Sequence, residues 1–340
     1  MTNGRLPSPF ALLILLALML APVAALAQNS SSAAGDTPRT AWGAPDLNGV
    51  WDFRTLTPFE RPEDLADQSL FTAEEAAQYE ADRLAAFAVR DDIEPADGVG
   101  NYNQFWFDPG NKLSVTNQTS LVVDPPSGRV PPLNAAAADK QAAQQRAREG
   151  VDRHSPTYGG WVEDLGAGMF AVRCILGFNS GPPMTPGGYN QNLQVLQTPT
   201  EVVLVNEMVH STRVIPLDGR PHVPDTLRQW MGDSRGHWDG DTLVVETTNF
   251  LRETSFRGGV TTANLHLVER FTRMSDGTMM YRVTVEDPNT WDQPWTYQIP
   301  MVTNTMPLYE YACHEGNYGL YNILAGAREE EATAEANTRD

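Results

Sequence analysis

Residues 235–250 have the sequence RGHWDGDTLVVETTNF, which predicts a β-hairpin. Asp239-Gly240 is a two-residue turn of the kind that joins antiparallel strands, because both residue types accept the backbone twist of a tight turn. The residues before this turn form one predicted strand, and Asp241 to Phe250 form the other.

Short strands and tight turns continue over the second half of the chain. Ser275-Asp276-Gly277 predicts a second hairpin, and strands are predicted at Leu193 to Thr198, Val202 to Met208, Thr212 to Leu217, Leu265 to Arg273, Met279 to Val285 and Trp295 to Met301. Strands and helices do not alternate, which argues against a doubly wound parallel sheet. The prediction is a mainly β protein, either an antiparallel lipocalin-like barrel or a highly curved sheet, with a few peripheral helices.

Helical signals lie in the first half of the chain. Thr72 and Glu75 form a capping box at the start of a helix over Thr72 to Arg90. A second helix, rich in Ala and Gln, is predicted over Asn134 to Glu149. We therefore expect a single β-rich domain at 42–328, made of a helical N-terminal part at 42–150 and a strand meander at 190–317.

The first residues have the three parts of a signal peptide. Arg5 is the only charge, an apolar run extends from Phe10 to Leu20, and Ala25-Leu26-Ala27 is a small-x-small cleavage site. The run is too short to span a bilayer. We therefore expect a signal peptide at 1–27, a linker at 28–41 and a periplasmic or secreted protein without a membrane span. Such a protein works without ATP or a pool of nicotinamide cofactor.

The net charge of the chain limits the kinds of molecule that it can bind. Its net charge is −19, from 43 acidic and 24 basic residues. Nucleic acids and anionic membrane surfaces would repel it, so a small molecule is the expected partner and the oligomeric state stays open. The acidic tail 329–340 has little to bury and is expected to be disordered.

The chain has two cysteines, Cys174 and Cys313. In an oxidising compartment a single long-range disulfide is the default pairing, and two buried free thiols are the alternative. A thioredoxin-like redox role has no support, because the sequence has no Cys-x-x-Cys.

Three motifs, Pro45 to Trp51 (PDLNGVW), Gly236 to Thr247 (GHWDGDTLVVET) and Tyr311 to Asn317 (YACHEGN), are spread over most of the chain. In these motifs the protein resembles a large family of exported, mostly uncharacterised bacterial proteins with a lipocalin-like character. The resemblance implies a β-barrel-like body and export. It implies no reaction, so no catalytic residue is transferred from it.

Two stretches carry groups suited to acid/base chemistry, Asn206 to Arg213 and Glu310 to Glu315. The candidate catalytic residues are His210, His314, Glu207, Glu315 and Arg213. On a regular strand Glu207 and His210 point to opposite faces, unless the strand ends or bulges near Met208. The hypothesis is that His210 and His314 converge while Arg213 orients an anionic or carbonyl oxygen.

Two histidines and a carboxylate also suit zinc. The sequence has no His-Glu-x-x-His or His-x-His, and the spacing matches no ligand template. We therefore expect no metal and no cofactor, and keep a metal-dependent hydrolase as an alternative.

The candidate ligand contacts are Trp291, Trp295, Tyr311, Asn190 and Glu269. Trp291 and Trp295 flank Pro294 in a predicted loop, where they could form a platform for a ring. Asn190 lies in the Pro/Gly-rich segment 177–192, a candidate lid or mouth loop. Glu269 is a carboxylate on an apolar strand face, so it lies at a barrel mouth, pairs with an arginine or lines a cavity.

These observations predict a protein that holds a small apolar or aromatic ligand in a barrel cavity. As an enzyme it would be a cofactor-independent isomerase, hydratase or lyase. A non-catalytic binding protein would have the cavity without converging titratable groups, and a structural protein would have a filled barrel.

Overall fold

The computed structural model describes residues 37–91, 107–147, 149, 173–251, 256, 260–274 and 277–338. The chain divides after Asp36 into two units, and the first, Met1–Asp36, lies outside the described residues. The predicted signal peptide at 1–27 and most of the predicted linker therefore also lie outside them.

A ten-stranded sheet, in which every named pair of strands is antiparallel, forms the body of the protein. Its strands are β1 (Gly49–Asp52), β2 (Val122–Asp124), β3 (Asn192–Gln197), β4 (Glu201–Asn206), β5 (Thr212–Pro216), β6 (Asp233–Asp239), β7 (Thr242–Thr248), β8 (His266–Arg273), β9 (Thr278–Glu286) and β10 (Trp295–Asn304). The order is β5-β4-β3-β1-β10-β9-β8-β7-β6, and β2 pairs with β10 beside this path. The prediction of a mainly antiparallel β fold is confirmed.

The hairpin predicted at 235–250 is present as β6 and β7. Asp239 pairs with Thr242 next to the turn, and Asp233 pairs with Thr248 at the far end. Gly240 has φ +58°, a left-handed conformation that glycine adopts without steric cost. The local turn chemistry therefore sets the register of this hairpin.

The sheet curls until its edge strands β5 and β6 contact each other. A Cβ added at Gly236 of β6 would lie 2.8 Å from both Ile215 and Leu217, so side chains fill this seam. Among the described residues no backbone ladder joins the two edges, and the predicted closed barrel is not confirmed. The nine strands of the main path alternate in direction, so the first and the last run parallel and cannot continue the antiparallel pattern.

The concave interior is built from alternate residues of the strands, as the period of two requires. On β8 the inward residues Leu267, Glu269 and Phe271 have no solvent exposure. Large side chains from the other strands pack around them, among them Trp51, Leu193, Ile215, Val245, Tyr281, Trp295 and Tyr297.

Helix α1 (Ala73–Asp91) packs on a separate small core, Leu56, Phe71, Ala76 and Leu113. The predicted capping box is present, because the Thr72 N–H donates to Glu75 at 2.8 Å and the Glu75 N–H donates to the Thr72 hydroxyl at 3.2 Å. Helix α2 (Ala135–Ala147) buries only Ala137 among its described side chains and is superficial.

Helix α3 (Tyr318–Asn337) differs from the expected disordered tail. Asn317 caps it by accepting from the Leu320 N–H at 3.3 Å. The tail is rich in Ala and Glu and has few apolar residues to bury. Ala and Glu also favour helix, which explains the helical path of residues 329–337.

Cys174 and Cys313 form a disulfide with a Cα–Cα distance of 5.8 Å, so the predicted pairing is confirmed. None of the helices among the described residues has the length and apolarity needed to cross a membrane.

Candidate functional site

One end of the sheet collects most of the residues singled out in the sequence. Because neighbouring strands alternate in direction, the connections 207–211 and 287–294 and the residues entering β3 all lie at the same end. We call this the site end. Glu207 and His210 lie in the first connection, Trp291 lies in the second, and Asn190 lies just before β3.

The 207–211 connection leaves the strand geometry at Glu207. The Glu207 N–H donates to the carbonyl of Asn192 at 2.9 Å, and Met208–His210 then forms a single 3-10 turn. Val209 and His210 both have left-handed backbones, with φ +51° and +44°. This conformation is rare for a β-branched residue, and it turns His210 out to solvent instead of into the sheet.

His210 and His314 converge, with ring centroids 6.2 Å apart. His210 Nδ1 lies 2.9 Å from the carbonyl oxygen of Tyr311. A carbonyl oxygen only accepts, so Nδ1 carries the proton and Nε2 of the neutral ring is left as the acceptor. Both imidazoles are exposed to solvent.

The disulfide helps position the second histidine. It fixes Cys313 to Cys174, and the Cys313 N–H donates to the same Tyr311 carbonyl at 2.9 Å. Residues 305–317 contain no helix, so Glu310 and His314 are not brought together by a helical turn. Glu315 is exposed in the turn that follows His314.

Glu207 is buried below the His210 turn. Asn192 donates from Nδ2 to Glu207 Oε2 at 2.8 Å, and Asn304 donates to Asn192 Oδ1 at 2.9 Å. These two amide side chains connect the Glu207 carboxylate to β3 and β10. Glu207 therefore supports the turn from below.

Arg213 lies in the interior rather than beside the two histidines. Both of its Nη atoms donate to Glu269, at 2.5 and 2.9 Å, and Tyr281 donates to the same carboxylate at 2.7 Å. Arg213 faces inward because it is the second residue of β5, where alternation resumes after the turn. The guanidinium of Arg213 is therefore paired with Glu269. Of the three environments predicted for this carboxylate, the structure shows the one in which it pairs with an arginine.

The tyrosine of this network also holds the segment before β3. The Met184 N–H donates to the Tyr281 hydroxyl at 3.0 Å, and the Tyr297 hydroxyl donates to the Met184 carbonyl at 2.6 Å. Burial, and then the Glu269 carboxylate, raise the pKa of Tyr281 well above its usual value of 10.0. Met184 has no solvent exposure and fills part of the interior. Asn190, predicted as a ligand contact, is half-buried and has a left-handed backbone.

Trp291 and Trp295 do not form an exposed platform. They are 3% and 0% exposed, and their rings meet edge to face at 5.5 Å. Trp295 is buried because it is the first residue of β10 and not part of a loop. Packing accounts for the two rings, although neither buried indole Nε1 has a hydrogen-bond partner among the described residues. Tyr311 contributes its backbone carbonyl, as described above.

A further pair, His222 and Asp233, was not predicted from the sequence. His222 Nδ1 lies 2.8 Å from the buried Asp233 carboxylate, which also accepts from the Val223 N–H at 3.1 Å. Arg235 completes the group at 2.7 Å from Asp233. These contacts anchor the segment that leads into β6, and no local motif marks the pairing.

Comparison of this chain with models of known families, with curated proteins and with solved structures found no match. Among the described residues, no three His, Cys, Asp or Glu side chains are grouped so that they could hold a metal ion.

Proposed function

We propose that the protein is a cofactor-independent acid/base enzyme that moves a proton on a small apolar or aromatic carbonyl compound. The class is an isomerase, hydratase or lyase, and the proton is exchanged at His210 and His314. The observation that carries the proposal is the convergence of these two imidazoles with Nε2 of His210 left as an acceptor.

The chemistry of histidine supports this assignment. Imidazole exchanges protons readily near neutral pH, and a ring held through one nitrogen presents the other to a substrate in a fixed orientation. The second ring, 6.2 Å away, is within reach of a different atom of the same small molecule. One ring removes a proton from carbon while the other donates to the developing oxyanion.

The strained turn is a second support. Each non-glycine residue in the left-handed region costs on the order of 1 kcal/mol or more, and such residues cluster at functional sites. Two in succession, Val209 and His210, place the ring against Tyr311. A plain connection between β4 and β5 would not need them.

The ligand lies at the site end and not in the middle of the sheet, where Met184 and the core side chains already pack. Apolar surface is present beside the turn. Gly177 lies so close to Met208 that an added Cβ would fall 2.1 Å from its Cγ, and the next residue, Phe178, is 51% exposed. Phe178, whose ring packs against Tyr189, is therefore an exposed aromatic side chain next to the glycine that contacts Met208 of this turn.

The test follows carbon-bound hydrogen by NMR in deuterated buffer over a panel of aromatic and aliphatic ketones and 2-oxo acids. We expect the protein to accelerate exchange next to the carbonyl of an aromatic member. His210→Gln and His314→Gln should each lower that rate by about a hundredfold or more. His237→Gln, at an exposed histidine of β6, is the matched control and should leave the rate unchanged.

Exchange that persists in the His210→Gln/His314→Gln double variant would overturn the proposal. Saturable binding of a panel member without any accelerated exchange would replace the enzyme by a non-catalytic binding protein.

We further propose that the protein is periplasmic or secreted. The disulfide supports this, since disulfides persist in oxidising compartments. Mass spectrometry of the protein from its source should find a mature chain beginning at Gln28. A cytoplasmic chain that keeps residues 1–27 would contradict export.

A further inference from the structure

The turn that carries His210 is supported from the interior of the sheet as well as by Tyr311. Gly177 packs against this turn so closely that an added Cβ would fall 2.1 Å from Cγ of Met208 and 3.2 Å from its Sδ. Met208 is 2% exposed and directly precedes the two left-handed residues of the turn. Because a packed interior leaves no room for a side chain at position 177, the backbone of Gly177 is the surface on which Met208 packs.

The segment that begins at Gly177 continues into the core. The Gly177 N–H donates to the Ser180 hydroxyl at 3.1 Å, and Ser180 is 2% exposed. Four residues later, Met184 has no solvent exposure and packs in the main hydrophobic core. We call residues 177–184 the interior segment. It connects the His210 turn at one end with the core at the other.

Two tyrosines fix the far end of the interior segment. The Met184 N–H donates to the Tyr281 hydroxyl at 3.0 Å, and the Tyr297 hydroxyl donates to the Met184 carbonyl at 2.6 Å. Both tyrosines are fully buried, one on β9 and the other on β10. Buried backbone groups need such partners, and these two partners, on neighbouring strands, determine where Met184 lies.

One carboxylate connects this support to the other side of the turn. Glu269 accepts from Tyr281 at 2.7 Å and from both Nη atoms of Arg213, which is the third residue after His210. The strand that leaves the turn and the segment that packs under it are therefore anchored at the same buried group. Hydrogen bonds to an ionised acceptor are about twice as strong as those to a neutral one, so this anchor is firm.

We propose that Tyr281 is a positioning residue for His210 and acts through the interior segment. The segment reaches the turn where Gly177 packs on Met208. A strained backbone persists only when the surrounding structure holds it, and the bond from the His210 ring to Tyr311 depends on this backbone. The effect of Tyr281 on a reaction rests on the proposed function, but its effect on the His210 ring does not.

The experiment observes the His210 ring directly, by NMR of the protein labelled with ¹⁵N in its histidines. The 6 histidine rings give separate ¹⁵N–¹H patterns, and the one that disappears in His210→Gln belongs to His210. At a pH where the ring is neutral, we expect the Nδ1–H tautomer in the native protein, because Nδ1 donates to the Tyr311 carbonyl. His237 on β6 is the reference for an exposed ring.

The first variant is Gly177→Ala, whose added methyl must displace Met208. We expect the His210 signal to lose its Nδ1–H pattern and to approach that of His237, and deuterium exchange to slow by about a hundredfold. The matched control is Gly326→Ala in α3, where an added Cβ would point into open space, and it should change neither readout. Gly177→Ala/Met208→Ala places the new methyl near the lost Cγ and should recover much of the native pattern.

The second variant, Tyr281→Phe, tests the far end of the interior segment. It keeps the ring and removes the hydroxyl that binds Met184, so the Nδ1–H pattern of His210 should weaken and deuterium exchange should slow by about tenfold. Tyr321→Phe, at a tyrosine that is 70% exposed, is the control and should leave both readouts unchanged.

A native His210 pattern in either Gly177→Ala or Tyr281→Phe would overturn the proposal, because a merely structural role lowers the denaturation midpoint without changing the ring. If Gly177→Ala does not fold, Tyr281→Phe decides alone. The NMR readout needs no substrate, so its failure is distinguishable from failure of the deuterium-exchange test.

Discussion

Arg213 and His210 lie three residues apart on the two sides of a single turn, yet their side chains lie in opposite environments. Arg213 enters the interior, where its guanidinium and the carboxylate of Glu269 satisfy each other. His210 leaves the sheet on a strained backbone and keeps one ring nitrogen open. The difference shows that a polar side chain is paired where the sheet buries it and can face solvent where the turn carries it out of the sheet.

The largest expected effect comes from removing the countercharge of the interior carboxylate. Arg213→Met removes the partner of Glu269, whose side chain has no exposure. Breaking a buried ion pair in this way costs about 3–5 kcal/mol, because the remaining carboxylate keeps its hydrogen bond from Tyr281 but loses its countercharge. Chemical denaturation should show a lower unfolding midpoint with little change in slope.

The matched control for Arg213→Met is the double variant Arg213→Met/Glu269→Leu, which removes both charges. It should recover most of the lost stability. If the double variant were as unstable as Arg213→Met alone, the packing of Arg213 rather than its charge would be responsible.

The next effect concerns the disulfide between Cys174 and Cys313. Cys174→Ser/Cys313→Ser opens a link across 139 residues and should lower the free energy of unfolding by about 2–4 kcal/mol. The rim should respond as well, because His314 follows Cys313 directly. An unchanged denaturation midpoint, measured beside the intact protein without reductant, would argue that packing alone positions these segments.

A smaller effect is expected from Tyr281→Phe. It removes the donor to Glu269 and the acceptor for the Met184 N–H, at a cost of about 1–3 kcal/mol. Since the pKa of Tyr281 is raised in the folded state, its contribution is complete below pH 10 and is lost as the pH rises above that value. Denaturation across this range should show a steeper alkaline loss in the native protein than in Tyr281→Phe.

The smallest change in stability is expected for His210→Ala. The ring is exposed, so the free energy of unfolding should move by no more than about 0.5 kcal/mol while deuterium exchange falls sharply. Thermal melting and the exchange assay on the same preparation separate the two. A large drop in melting temperature would place His210 with Arg213 among the residues that hold the fold.

Features set by neighbouring residues were predictable from the sequence. Asp239-Gly240 and the Thr72–Glu75 capping box act within a few residues, and both are confirmed. The insertion of β1 between β3 and β10 was not predictable, because strand partners far apart in the chain are chosen by packing and not by local propensity.

In the candidate site, too, local features were predictable from the sequence and long-range contacts were not. The sequence marked two stretches that carry acid/base groups and that the structure brings together at His210 and His314. The partner of Arg213 lies 56 residues away, and alternation in the sequence could not identify it. The burial of Trp295 depends on where β10 begins, and strand boundaries are poorly marked by composition. The left-handed backbone of Val209, which precedes the left-handed His210, has no sequence signal, since a β-branched residue disfavours that conformation.

The disulfide also defines a covalent ring. Residues 174 to 313 form a closed loop that contains eight of the ten strands, β3 to β10. A single cut in a connection inside this loop leaves those strands in one molecule. The short strand β1, with the fully buried Trp51, comes from outside the loop and sits between β3 and β10. The disulfide therefore keeps most of the sheet covalently linked after a cut, but it does not hold β1, the strand that makes the sheet continuous. We expect cleavage just after β1 to destabilise the protein more than cleavage among the later hairpins.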